Sequence, residues 1–121
     1  AGEMIADALN SAWFNPLMFG FIVAALVRIL QGSSTVAMIT AAGITAPVLT
    51  GGDYSMAQTS LIVIAIASGA SILSHVNDSG FWLVGQYLGL TEKQTFKSWT
   101  VMTTLIAIVG LAVSLIIWFI I

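Results

Sequence analysis

Residues 31–35 read Gln31-Gly32-Ser33-Ser34-Thr35, and they interrupt an apolar run that extends from Leu17 to Leu49. The arm before them, residues 17–30, is apolar apart from Arg28, and the arm after them, residues 36–49, is apolar again. Each arm has 14 residues, roughly 21 Å as helix, against hydrocarbon about 30 Å thick. Two arms too short to cross, joined at a polar tip, predict a re-entrant helical hairpin over residues 16–50. Such a tip is tolerated only where protein or a watery cavity satisfies it. The alternative is one continuous crossing helix over residues 17–39 with the polar cluster inside it. Ser33, Ala37, Ala41 and Thr45 recur at every fourth position of the second arm, a small-residue face that lets a neighbouring helix approach closely.

Composition points the same way. The chain of 121 residues is 59% hydrophobic and 7% charged, whereas soluble domains carry about 25% charged residues. Three basic residues are too few for nucleic-acid binding, which rests on neutralising phosphates. With no cysteine there is no disulfide framework and no thiolate metal site. An all-α membrane protein follows.

Downstream of the hairpin, Thr50-Gly51-Gly52-Asp53-Tyr54 is a turn-rich linker, with Asp53 a solvated turn residue. Helix resumes near Met56 and meets a second polar cluster, Ser74-His75-Val76-Asn77-Asp78-Ser79-Gly80, before a half-length apolar piece over residues 81–88. Neither piece can cross alone. Residues 56–89 therefore read as one discontinuous transmembrane helix with an unwound centre. Residues 97–121 read as a C-terminal transmembrane helix, with Trp99 and Trp118 lying 19 residues apart, roughly 28 Å along a helix and suited to the two interfacial belts. Lys93 and Lys97 sit in the connection before it. The positive-inside tendency places that loop in the cytoplasm and the C-terminus on the outer side of a multi-pass protein.

At the start, Met4, Ala8 and Leu9 can share one helical face and Glu3, Asp7 and Asn10 another, so residues 1–15 read as a short interfacial amphipathic helix. Asn15-Pro16 then suits an N-cap followed by a first helical position. The opening Ala1-Gly2-Glu3 lacks an initiator Met and is not a signal peptide. The expectation is a fragment: one incomplete transporter domain.

Polar groups at membrane depth need partners, and ligand, ion and water are the usual ones. If Ser33 or Ser34 caps the second arm, backbone N–H groups and the positive end of the helix dipole face the tip and suit a carboxylate. Gly32, Ser33, Ser34 and Thr35 are candidate substrate-binding residues, with Asn77 and Ser79 from the second cluster; the bland alternative is helix capping. His75 and Asp78 are candidates for proton carriage, since histidine titrates near physiological pH and a carboxylate withdrawn from water can hold a proton. Alternatively His75 hydrogen-bonds a neighbouring helix and Asp78 caps the half-helix that follows. Arg28, within a turn of the tip, offsets a substrate's charge, pairs with an acid elsewhere in the missing part, or snorkels to the interface. Two potential ligands make no metal site, and no cofactor is expected.

The stretch Ser74-His75-Val76-Asn77-Asp78-Ser79-Gly80-Phe81-Trp82-Leu83-Val84 resembles the C-terminal signature of the gluconate permease (GntP) family. Gly32-Ser33-Ser34-Thr35-Val36-Ala37, with Ala42-Gly43-Ile44 after it, resembles that family's other marker, and Gln94-Thr95-Phe96-Lys97 also fits. The resemblance implies a symporter of the bacterial inner membrane that imports gluconate or a related sugar acid with protons. It also implies a wider ion-transporter superfamily in which each inverted repeat holds a re-entrant hairpin and a broken helix, with Ser/Asn/Thr tips at the substrate carboxylate. On that pattern Ser33, Ser34 and Thr35 match one tip and the stretch around residues 75–80 matches the unwound helix. Some sodium-coupled relatives of that superfamily carry Ser-Asn-Thr at the tip where this chain has Ser-Ser-Thr; proton coupling is what the closer family implies. The implied partners are the sugar acid, protons, the bilayer and the remainder of the polypeptide, with homo-oligomerisation open. Competing classes are a small self-assembling membrane subunit and an intramembrane enzyme using Asp78 and His75; an aspartyl protease would need a second aspartate at membrane depth.

Overall fold

A computed structural model describes residues 15–50 and 52–121. The amphipathic segment expected over residues 1–15 lies, but for Asn15, outside them. Among the described residues all regular structure is helical.

Helix α1 (Pro16–Gln31) starts as its sequence dictates: Asn15 accepts a hydrogen bond from the Leu17 N–H at 2.9 Å, and Pro16 occupies the first turn. It stops at Gly32, whose φ of +78° is the left-handed conformation glycine adopts without penalty. Helix α2 (Ser34–Thr50) begins two residues after Gly32. Ser33 caps it, its Oγ accepting from the Val36 N–H at 3.3 Å. The helix is therefore broken at Gly32-Ser33, and one continuous helix over residues 17–39 does not form. Gly20, twelve residues before the break, faces Thr45, twelve residues after it. The two helices thus pack antiparallel as a hairpin, with Ala37 and Ala41 fully buried between them and their neighbours.

Helix α3 (Met56–Gly69) opens on a capping box in which the Ser55 side chain and Gln58 satisfy each other's backbone N–H groups. It runs alongside α1 in the same direction: Gly20 meets Ile66, and Gly69 sits against the Phe21 carbonyl, where a Cβ would collide with backbone. Leu17, Ala24, Leu61, Ile62 and Ala65 fill the core between them. Residues 70–78 are non-helical, and Leu73 holds φ +47°, a left-handed conformation costly for a side chain of its size. Helix α4 (Ser79–Leu88) then starts at Asp78, whose Oδ1 accepts from the Gly80 N–H at 3.1 Å, and ends at left-handed Gly89.

The last helix, α5 (Glu92–Ile120), is 29 residues long and is the one described helix long and apolar enough to cross a membrane. It starts on a Thr91–Gln94 capping box. Lys93 and Lys97 consequently stand on its first turns, not in the loop expected from sequence. A π-helical turn, Phe96–Thr100, interrupts it. Leu105, Ile108, Val109, Val113 and Ile116 remain exposed along it, an apolar surface water would disfavour.

Candidate functional site

The two helical breaks meet. At the hairpin tip, backbone and side chain of Asn77 occupy the space that a Cβ on Gly32 would need. The ring Nε2 of His75 bonds the Ile29 carbonyl at 3.1 Å, and Asn77 Nδ2 donates to the same oxygen at 2.9 Å. A carbonyl only accepts, so Nε2 carries hydrogen in this arrangement.

Arg28 stands at the junction, 4% exposed. Its Nε donates to the Ile72 carbonyl at 3.3 Å, one terminal nitrogen donates to the Gly32 carbonyl at 2.7 Å, and the other meets Asp78 Oδ2 at 2.7 Å. One side chain thus ties the hairpin tip, the end of α3 and the start of α4 together. Arg28 does not snorkel, and its acid lies within this chain, fifty residues on, not elsewhere. With Arg28 buried and Asp78 half-buried, the pair is worth little over an apolar replacement, but leaving Arg28 unpaired is costly.

Asp78 Oδ2 also accepts from Ser74 Oγ. Ser74 is fully buried and anchors the break to α5. Its N–H donates to Thr103 Oγ1 at 3.1 Å, its carbonyl accepts from Thr100 Oγ1, and its Oγ accepts from Trp99 Nε1 at 2.9 Å. The π turn, with its extra residue, brings Trp99, Thr100 and Thr103 onto the face that meets Ser74. Trp99, half-buried, is thus engaged by the second break as well as standing near the start of α5.

A cavity of about 520 Å³ opens beside this network, lined by Arg28, Gly32, Ser33, Ser34, Thr35, Ser71, Asp78, Ser79, Gly80, Leu83, Trp99, Thr103 and Ile106. Its size is that of a small-molecule site, roughly 300–1,000 Å³. Of the residues singled out in the sequence, Arg28, Gly32, Ser33, Ser34, Thr35, Asp78 and Ser79 line this cavity; His75 and Asn77 do not, and instead brace the junction from the side. Ser71, Trp99 and Thr103 were not anticipated. The signal available was the run of hydroxyls at Thr100, Thr103 and Thr104 inside an apolar helix.

The cavity's electrostatics follow from its helix ends. Among the described residues, the Ser34 and Thr35 N–H groups of α2 and the Ser79 N–H of α4 have no protein partner, while Val36, Ala37, Gly80 and Phe81 are satisfied by the caps. Two helix N-termini and one guanidinium therefore converge on the same space, and one carboxylate, Asp78, offsets them. Among the described residues no three His, Asp or Glu side chains gather into a metal cluster.

The described residues are all helical and include one long, exposed apolar helix, which together with the family match below makes this a membrane protein. It belongs to the GntP permease family, matching the family described as "GntP family permease" over residues 1–120. It is similar to the low-affinity gluconate transporter of Escherichia coli, 44% identical over 115 residues, which are 95% of this chain and 26% of that protein. It is similar to a gluconate permease of Pseudomonas aeruginosa, 44% identical over 110 residues, 91% of this chain and 24% of that protein. The Gnt-II system L-idonate transporter of Escherichia coli is also 44% identical over 110 residues, with the same coverage of 91% and 24%. The chain thus spans about a quarter of the length of these curated relatives. No solved structure matches it.

Proposed function

We propose that this chain forms the C-terminal part of a secondary active transporter that imports gluconate or a related sugar acid together with protons across the bacterial inner membrane. In this reading residues 16–50 re-enter the bilayer as a hairpin and residues 56–89 cross it as a discontinuous helix. The last helix ends outside, with Lys93 and Lys97 on the cytoplasmic side. The observation that carries the reading is the convergence of two helix N-termini and Arg28 on one cavity. A monocarboxylate suits that field, and the hydroxyls of Ser33, Ser34, Thr35 and Ser79 suit a polyhydroxylated chain. The names of the relatives, gluconate and L-idonate carriers, support the same chemistry.

The test uses the full-length transporter in vesicles. Uptake of labelled gluconate driven by an imposed proton gradient is expected, with Ser34→Ala and Asp78→Asn each reducing accumulation at least tenfold. Uptake untouched by both substitutions removes this site assignment.

A further inference from the structure

We infer that the substrate carboxylate and Asp78 compete for Arg28, and that the displaced Asp78 carboxylate takes the co-transported proton. The inference rests on the sugar-acid reading above and names the coupling step within it.

Arg28 has five N–H groups. Two backbone carbonyls, of Ile72 and Gly32, fix the guanidinium independently of Asp78. The Asp78 contact at 2.7 Å is its only charge pair among the described residues. Both members line the cavity beside the free N–H groups of α2. An anion drawn to Ser34 and Thr35 therefore arrives next to the guanidinium that Asp78 already holds.

Charge counting favours the exchange. Among the described residues the site holds one cation and one anion. A carboxylate entering alone leaves a net negative charge in a partly buried site, and a proton binding Asp78 alone leaves Arg28 uncompensated. Each is disfavoured. Entry of both keeps the site neutral: the incoming RCOO⁻ pairs with Arg28, one H⁺ from solution bonds an oxygen of Asp78, and no other bond changes. Release reverses both steps. One proton per carboxylate follows from the geometry.

The neutral carboxyl also has its partners in place. Asp78 Oδ1 keeps the Gly80 N–H. A proton on Oδ2 can be donated to Ser74 Oγ, reversing the present bond, because a hydroxyl with two lone pairs can accept from it and from Trp99 together. No other titratable side chain faces Asp78 among the described residues. α1 brings Arg28. The break brings Ser74 and the backbone carbonyl of His75, whose ring is turned to Ile29. The tip and α2 bring Ser33, Ser34 and Thr35 to the cavity, the break also brings Ser71, and α5 brings Trp99 and Thr103.

The experiment is proton uptake on binding. The purified full-length transporter, in weakly buffered detergent solution with a pH dye, receives D-gluconate. About one proton should be taken up per gluconate bound, and the apparent Kd should rise about tenfold per pH unit where protons are limiting. Asp78→Asn should lose proton uptake on gluconate binding, the pH dependence of Kd and gradient-driven accumulation. Wild-type binding without proton uptake overturns the inference and leaves the transport reading intact. So does an Asp78→Asn protein that keeps one proton per gluconate. A wild-type protein that binds no sugar acid overturns both.

Discussion

The two breaks in this chain do opposite work with similar residues. The first is two residues long, Gly32-Ser33, and leaves the Ser34 and Thr35 N–H groups free at the cavity. The second, residues 70–78, is longer, contains a left-handed leucine, and commits its polar groups almost entirely to bonds. Ser74 uses its N–H, its carbonyl and its hydroxyl on α5, and His75 and Asn77 both grip the end of α1. The short break leaves donors open at the cavity; the long break holds the shape beside them. Arg28 is the one side chain that belongs to both. Polar residues inside an apolar chain are therefore not equivalent evidence of binding: those whose groups are spent on bonds within the chain support the fold, and those left open are the better candidates for a site.

Removing the shared side chain should break the comparison most severely. Arg28→Met leaves the half-buried Asp78 carboxylate without its counter-charge and should destabilise by about 1.5–3 kcal/mol, read as a fall in the unfolding temperature of the full-length protein in detergent. Combining it with Asp78→Asn, which keeps a good N-cap for α4, should recover most of that stability without restoring uptake. Equal instability of the double variant would mean that the carbonyl contacts of Arg28, not its charge, join the breaks.

The docking of tip against loop is sharpened by two glycines. Gly32 and Gly89 share a positive φ, but a Cβ on Gly32 runs into Asn77 while one on Gly89 meets open space. Gly89→Ala should cost about 1–2 kcal/mol from backbone strain alone. Gly32→Ala should cost more and also depress gluconate uptake. Matching losses of stability and activity at the two positions would show that the tip is not docked on residue 77.

The smallest effect is expected on the scaffold side. Trp99→Phe keeps the ring but deletes the hydrogen bond to Ser74, a loss of about 1 kcal/mol. The thermal shift should be small and uptake reduced a few-fold. An unchanged stability would separate the π turn from the support of the second break.

What the sequence disclosed and what it hid divide along contact range. The tip was legible because its chemistry is local: glycine takes the left-handed cap, serine takes the N-cap, and both stand beside each other in the chain. Asp78 as the cap of a half-helix was legible as an alternative for the same reason. Its pairing with Arg28 was not, because the partners are fifty residues apart, and neither arm's apolar pattern says which neighbour it meets. The bond of Trp99 to Ser74 was not legible either, because it joins residues twenty-five apart through the face set by the π turn. α5 starts at Glu92, ahead of the expected residue 97, because Thr91 and Gln94 form a capping box.

The central claim is that the tip of the hairpin and the start of α4 face one guest. Thiol protection tests it directly, using Thr35→Cys and Ser79→Cys separately in a cysteine-free full-length transporter. D-gluconate should slow modification of both positions by a small hydrophilic thiol reagent, with the same half-protecting concentration at each. Protection of one position but not the other, in proteins that still take up gluconate, would contradict a single shared cavity.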